Sequence, residues 1–237
     1  MRTNTSFSRR HATITGLFFI AATVTAIIGL ALYQPVLSAA DPLSEAASRT
    51  SDIALGAFFE ALLAIANIGT AVMFLPVLRS ISRTLGPAYT VFRSLEVVLI
   101  LTGMVSMLAL ATTAQQAAGT ADAGPYKAIA TMLIALHDWT FVMGPHFMLG
   151  INTLIYSYLF HRSGMLPRPL AVYGMISAAL ILIAASLEIF GAITSYDPTI
   201  FALAIPIAVF EMVLAGRLIA KGFTQAAERE EVDVAYA

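Results

Sequence analysis

The chain has 237 residues, of which 59% are hydrophobic and only 11% are charged, so its apolar surface exceeds what a water-soluble fold can bury. The formal net charge of −1 and the absence of a dense basic run argue against a nucleic-acid partner. Because the sequence contains no cysteine, it excludes disulfides, thiolate nucleophiles and cysteine-ligated metals.

Apolar stretches of roughly 20 residues recur along the chain, and each is long enough to cross a hydrocarbon core about 30 Å thick. The pattern predicts an all-α fold, a polytopic membrane helix bundle with six transmembrane helices. The predicted spans lie near residues 12–33, 52–78, 91–113, 138–160, 170–192 and 199–220. Residues 1–223 would form a single membrane-embedded domain, and residues 224–237 a disordered acidic cytoplasmic tail.

The stretch 125–160 is almost continuously apolar and could cross the membrane once or twice. Cytoplasmic loops carry an excess of Lys and Arg. With six spans, eleven of the thirteen Lys and Arg residues, Arg93 among them, lie inside; with seven spans, six lie inside and seven outside. We therefore predict six spans, both termini in the cytoplasm, and an amphipathic or re-entrant helix at 125–136 on the outer surface.

Several ionisable side chains fall inside the predicted spans, where each costs roughly 3 kcal/mol or more unless it is paired, neutral or hydrated. Small residues share the helix faces of these side chains, which is typical of helix contacts inside a bundle. The sequence therefore predicts a polar site within the outer half of the bilayer. The predicted binding residues are Glu60, Asn67, His137, Asp138, His146, Glu188 and Glu211.

Each of these residues also has an ordinary structural explanation. Glu60 and Glu211 could be carboxyls hydrogen-bonded between helices, and Glu188 a hydrated carboxyl near the interface. His146 could donate to a carbonyl freed by the neighbouring Pro145. Glu96 has Arg93 one helical turn away, and we interpret Arg93 and Glu96 as a structural ion pair.

His137 and His146 are weak candidates for metal ligands. Their separation of nine residues puts them on opposite sides of a regular helix, so only a kink at Pro145 could bring them to one site. The sequence has no HExxH or GxSxG motif, and the catalytic residues and the cofactor stay unassigned.

Short landmarks recur along nearly the whole chain. They are an opening Arg9-Arg10 with Gly16-Leu17, then Leu136-His137, Ser163-Gly164-Met165-Leu166-Pro167-Arg168, Leu170, Glu211 and Lys221-Gly222-Phe223. In this respect the chain resembles a bacterial membrane family known as domain of unknown function 4386. The resemblance implies a single multi-pass domain in a bacterial cytoplasmic membrane, and it implies no activity.

Three functional hypotheses follow. The first is a module that binds or translocates a small cation, a proton or a lipophilic solute in an outward-facing cavity with Glu60, His146 and Glu211. The second is an intramembrane metal-dependent enzyme acting on a lipid or quinone. The third is a structural or regulatory subunit that contacts the bilayer and either further copies of itself or another membrane protein. Convergence of the three titratable residues would favour the first two hypotheses, and separate partners would favour the third.

Overall fold

The computed structural model describes residues 7–120, 122–194 and 197–224, and over those ranges the chain is helical and has no strand. The helices are α1 (Arg9–Leu37), α2 (Pro42–Ser48), α3 (Thr50–Ile81), α4 (Leu85–Ala117), α5 (Gly124–Phe141), a π-helical segment (Val142–Met148), α6 (Leu149–Ser163), α7 (Arg168–Ile189) and α8 (Pro198–Lys221). Within the described ranges, six helices are long and apolar enough to cross a membrane, the continuous stretch Gly124–Ser163 counting as one. The prediction of an all-α bundle with six spans is confirmed. The tail from residue 225 onward lies outside the described residues.

The helix ends follow local capping chemistry. The Ser8 hydroxyl accepts a hydrogen bond from the His11 amide at 3.2 Å and so caps the start of α1. The Asp197 carboxylate accepts one from the Thr199 amide at 2.8 Å at the start of α8. Helix α6 ends at Gly164, whose φ of 66° lies in the left-handed region that favours glycine. The short link to α7 then makes α6 and α7 antiparallel neighbours.

The spanning helices form a closed ring. Each packs against the spans before and after it in the sequence, and α8 packs against α1. The order around the ring is therefore α1, α3, α4, the continuous helix α5 to α6, α7 and α8. We call the end where α1 begins and α8 finishes the basic end. Among the described residues it carries Arg9, Arg10, Arg79, Arg83, Arg162, Arg168, Arg217 and Lys221.

The charge asymmetry agrees with a cytoplasmic basic end, because only Arg49 and Lys127 lie near the opposite end among the described cations. The assignment of both termini to the cytoplasm stays a prediction. Arg93, which counts among the cations of the cytoplasmic side in the sequence analysis, lies within α4 and is 2% exposed inside the ring.

The two largest apolar clusters stabilise the bundle at different levels. Near the basic end, aromatic side chains from across the ring pack together, among them Phe74, Tyr156 and Phe210. Near the opposite end a second core joins α1 to α5 and includes Tyr33 and Met107. The short helix α2, which the sequence did not predict, contributes buried Leu43 and Ala46 to that second core.

The prediction for residues 125–136 is wrong. This segment belongs to a continuous helix that follows α4 in the antiparallel direction, and it neither lies flat on the outer surface nor re-enters the membrane. The Ser106 hydroxyl donates to the Leu133 carbonyl, and Gly103 allows Thr140 to approach. Small residues on α4 therefore let α5 bury one face against α4.

Candidate functional site

The interior of the ring contains a hydrogen-bonded network centred on Arg93 and Glu96 of α4. The Arg93 guanidinium donates through Nη1 to both carboxylate oxygens of Glu96, at 3.0 and 3.2 Å. Through Nη2 it donates to Asn67 Oδ1 of α3 at 2.8 Å, and through Nε to the Thr70 hydroxyl at 3.2 Å. Asn152 Nδ2 of α6 donates to Glu96 Oε2 at 2.6 Å. The network thus connects three helices.

Every member of this network is buried, with Arg93 2% and Glu96 3% exposed. A charge pair at such depth has lost its hydration, and only good geometry with further hydrogen bonds compensates for that loss. Asn67 Nδ2 completes the set by donating to Glu96 Oε1 at 3.2 Å. Asn67 therefore belongs with Arg93 and not with Glu60, whose helix face it shares in the sequence.

Glu211 of α8 lies beside this network without joining it. Its carboxyl interacts electrostatically with Arg93 and Glu96. However, Glu211 Oε1 is buried and finds no hydrogen-bond partner among the described residues. The hydroxyls of Tyr89 and Tyr156 also interact electrostatically with Glu211. Both hydroxyls are buried, and they too have no hydrogen-bond partner among the described residues.

His146 has a different partner. Its Nδ1 lies 2.8 Å from Glu188 Oε1, and both side chains are buried between the π-helical segment and α7. The π-helical segment contains Pro145, which has no amide hydrogen to donate. Because a π-helix turns less per residue than an α-helix, the segment reorients His146 relative to His137. Such π-helical interruptions are rare and often mark functional positions.

Glu60 lies at a third place, nearer the opposite end. Its side chain packs on Gly29 of α1 and interacts electrostatically with Tyr33 and with His137 of α5. The Tyr33 ring meets the His137 ring edge-on at 5.7 Å. The Tyr33 hydroxyl lies near the Glu60 carboxyl, and neither that hydroxyl nor Glu60 Oε2 has a partner with hydrogen-bond geometry within the described ranges. His137 Nδ1 lies 3.3 Å from Asp138 Oδ1.

The predicted residues therefore do not share one hydrogen-bonded site. Glu60 groups with Tyr33 and His137, His146 groups with Glu188, and Glu211 lies beside Arg93. The Phe141 ring contacts both histidines, with its centroid 6.3 Å from that of His137 and 4.9 Å from that of His146.

None of the predicted residues lines either of two surface hollows. One hollow of about 190 Å³ lies between Asp41 and Lys127, where the hydrogen bond from Lys127 holds the pKa of Asp41 below its usual value. The other, about 250 Å³, lies beside Leu187 and Phe190. Among the described residues, no three or more His, Asp or Glu side chains are grouped to hold a metal ion. The hypothesis of a metal-dependent enzyme gains no support.

Sequence reasoning missed Asn152, Thr70, Tyr89 and Tyr156. An amide in the middle of an apolar span is a detectable signal, and Asn152 could have been singled out on that ground. A tyrosine or threonine in a span is too common to indicate a site without knowledge of its neighbours. The pairing of His146 with Glu188 depends on the π-helical segment, which periodicity does not predict.

Together, the closed helical ring and its buried polar interior define a multi-pass α-helical membrane protein. The chain belongs to the family described as a domain of unknown function (DUF4386), which matches residues 14–222. The resemblance drawn from the sequence landmarks is confirmed. No curated protein and no solved structure matches the chain.

Proposed function

We propose that the protein translocates protons across the membrane through the interior of the helix ring. One observation carries the proposal: the carboxyl groups of Glu60, Glu188 and Glu211 each have one buried oxygen that has no hydrogen-bond partner among the described residues. A carboxyl that served only to fix helix packing would be expected to have both oxygens bonded. Ionisable groups of this kind inside a membrane are typical of ion and proton pathways.

These carboxyls lie at two depths, Glu211 at one and Glu188 and Glu60 at the other. Glu211 is ten residues from Lys221, or roughly 15 Å from the basic end at about 1.5 Å per residue. On the same scale, Glu188 is about 30 Å along α7 from Arg168, and Glu60 about 31 Å along α3 from Ile81. A group that can exchange a proton accompanies each of them: Tyr156 beside Glu211, His146 beside Glu188, and His137 beside Glu60.

The arrangement supports protons better than a larger cargo. The two surface hollows, which could admit a larger molecule, are not lined by these residues. A proton needs only exchangeable groups and water between them. Phe141 marks the apolar step that such water must bridge between the two histidines.

Proton flux into liposomes tests this proposal. The purified full chain would be reconstituted with a trapped pH-sensitive dye, and a potassium diffusion potential would drive proton entry. Wild-type protein should exceed empty liposomes, and Glu60→Gln and Glu211→Gln should fall to the empty-liposome rate while keeping the wild-type melting temperature. Glu45→Gln is the matched control, because Glu45 lies in α2 with a partly exposed side chain. A wild-type rate equal to that of empty liposomes contradicts the proposal.

A structural or regulatory subunit is the second candidate, and the Arg93–Glu96 network favours it. Both Glu96 oxygens and all three guanidinium nitrogens have partners, which suits a role in fixing how α3, α4 and α6 pack. Such a subunit would act through contacts with copies of itself or with another membrane protein. Gln substitutions at the carboxyls would then lower thermal stability, and the wild-type protein would give no proton flux.

A further inference from the structure

Four buried polar atoms in the basic half of the ring lack hydrogen-bond partners within the described part of the chain. They are the hydroxyls of Tyr89, Tyr156 and Ser157 and the Oε1 atom of Glu211. All four side chains are at least nine-tenths buried. An unpaired buried polar group is costly, and in proteins such groups are usually bonded to an internal water molecule.

The four groups belong to one neighbourhood. The rings of Tyr89 and Tyr156 lie edge-on at 5.7 Å, and Phe210, the residue before Glu211, stacks on Tyr156 at 6.0 Å. Ser157 Oγ and Phe210 Cζ both lie 2.4 Å from the point that a Cβ at residue 174 would occupy. Gly174 therefore lets Ser157 of α6 and Phe210 of α8 approach α7 closely, and any larger residue at this position would collide with both.

Neighbouring protein groups do not satisfy the two phenols. The Thr70 and Thr153 hydroxyls lie near Tyr89 and Tyr156, but the geometry falls short of a hydrogen bond in both cases. The Thr70 hydroxyl already donates to the Asn67 carbonyl at 2.7 Å and accepts from Arg93. It therefore has no proton left to donate to Tyr89.

We propose that Glu211, Tyr89, Tyr156 and Ser157 form a binding site for water or hydronium beside Arg93. The number of polar groups matches the two to four partners that an internal water needs. The inference deepens the proposed function, because it names the water that exchanges a proton with the carboxyl nearest the basic end. In that step an O–H bond of hydronium breaks as an O–H bond to the Glu211 carboxylate forms, and the reverse step releases the proton.

Hydroxyl-radical labelling with an X-ray pulse tests for this water, because buried side chains are oxidised only where water lies against them. The full chain in lipid nanodiscs would be labelled and analysed by mass spectrometry. We expect Tyr89 and Tyr156 to be oxidised at least tenfold above the dry level set by Met107, which is 0% exposed in the apolar core near the opposite end. Oxidation of both tyrosines at the Met107 level overturns the site.

Substitutions then test whether Glu211 belongs to the water site. Glu211→Leu should reduce the oxidation of Tyr156 severalfold, whereas Glu211→Gln, which retains hydrogen-bonding atoms, should leave it within twofold of wild type. Undiminished oxidation in Glu211→Leu removes Glu211 from the site. If Glu211→Leu does not fold, wild-type labelling together with Glu211→Gln still decides whether water is bound. Strong labelling without proton flux in liposomes would uphold this site and reject the proposed function, so the two failures are distinguishable.

Discussion

Arg93 is the only described cation that lies inside the ring, and its charge has to be compensated where it stands. Glu96 and Asn67 provide that compensation through hydrogen bonds of 2.8 to 3.2 Å, and the Phe19 ring lies 6.0 Å from the guanidinium carbon. Glu211 adds a second acidic group nearby. Arg93 therefore links the packing of the bundle to the candidate proton site.

Replacing Arg93 by Met should destabilise the protein by about 3 to 5 kcal/mol, because Glu96 would be left as an uncompensated buried charge. Thermal unfolding in detergent measures the change as a lower apparent melting temperature. Arg49→Met is the matched control, since Arg49 pairs with Glu45 and Asp52 on an exposed surface. An unchanged melting temperature in Arg93→Met would show that the network does not stabilise the fold.

Residue-level prediction from the sequence succeeded for contacts within one helix. Arg93 and Glu96 are three residues apart, so helical geometry alone brings them together. The sequence did not predict contacts between helices, because periodicity indicates which face of its own helix a residue occupies and not which helix lies opposite that face. The grouping of Asn67 with Arg93, and of Glu60 with His137, depends on that missing information.

At the scale of elements, close approach between helices depends on small residues. A Cβ added at Gly56 of α3 would lie 2.4 Å from Tyr33 Cε1 of α1, and Tyr33 is fully buried. Gly29 allows a similar approach, with Glu60 Cγ 3.2 Å from the equivalent point. These two glycines bring α1 and α3 together where Tyr33 meets Glu60.

Gly56→Ala should therefore destabilise the bundle by about 1 to 3 kcal/mol, since the buried Tyr33 ring has no room to retreat. Gly216→Ala in α8 is the control, because nothing lies within 4 Å of its Cβ position. That change should be neutral or stabilising by up to about 1 kcal/mol through helix propensity. Equal melting temperatures for the two variants would argue against a close contact at Gly56.

Element boundaries show where the sequence was informative. Hydropathy predicted every spanning helix. Apart from the fourth, the helices extend up to six residues beyond the predicted limits, except that α7 ends at Ile189, three residues before its predicted end. The fourth span starts fourteen residues early, at Gly124, because burial against α4 and not contact with headgroups decides where α5 lies. The π-helical segment at Pro145 was foreseen only as a kink.

At the scale of the whole molecule, the arrangement of Lys and Arg predicts which side of the membrane each loop faces. The chain has no cysteine, so single cysteines can be introduced without background labelling. Thr84 and Thr120 are exposed at opposite ends of α4. Cysteines introduced at these two positions therefore report on the two sides of the membrane.

With a membrane-impermeant maleimide on intact cells, Thr120→Cys should react at once, and Thr84→Cys should react only after permeabilisation. The physical reason is that the basic end should stay in the cytoplasm. The reverse pattern would place both termini outside the cell. Glu211 would then lie nearer the outer surface than Glu60 and Glu188 do. Proper insertion of both variants would be checked by equal expression in the membrane fraction.

Closure of the ring was not predictable from the sequence. Antiparallel order follows from short loops, but the contact between α8 and α1 joins the two ends of the spanning region. Gly16 makes this contact possible, since its Cβ position lies 2.8 Å from the Ala215 carbonyl oxygen. No pattern within either helix identifies the other as its partner.

The fourth span is longer than the bilayer is thick. Its exposed apolar side chains run from Ile129 to Tyr158, about 43 Å along the axis against a hydrocarbon core of about 30 Å. Trp139, whose ring prefers the interfacial layer, lies within this strip and not at its edge. Ile129 and Met132 then form an exposed apolar patch that lies above the lipid tails on one side of the bundle. Longer acyl chains would cover this apolar patch, whereas shorter ones would leave it among the headgroups. Membrane thickness therefore acts on this protein unevenly around its perimeter.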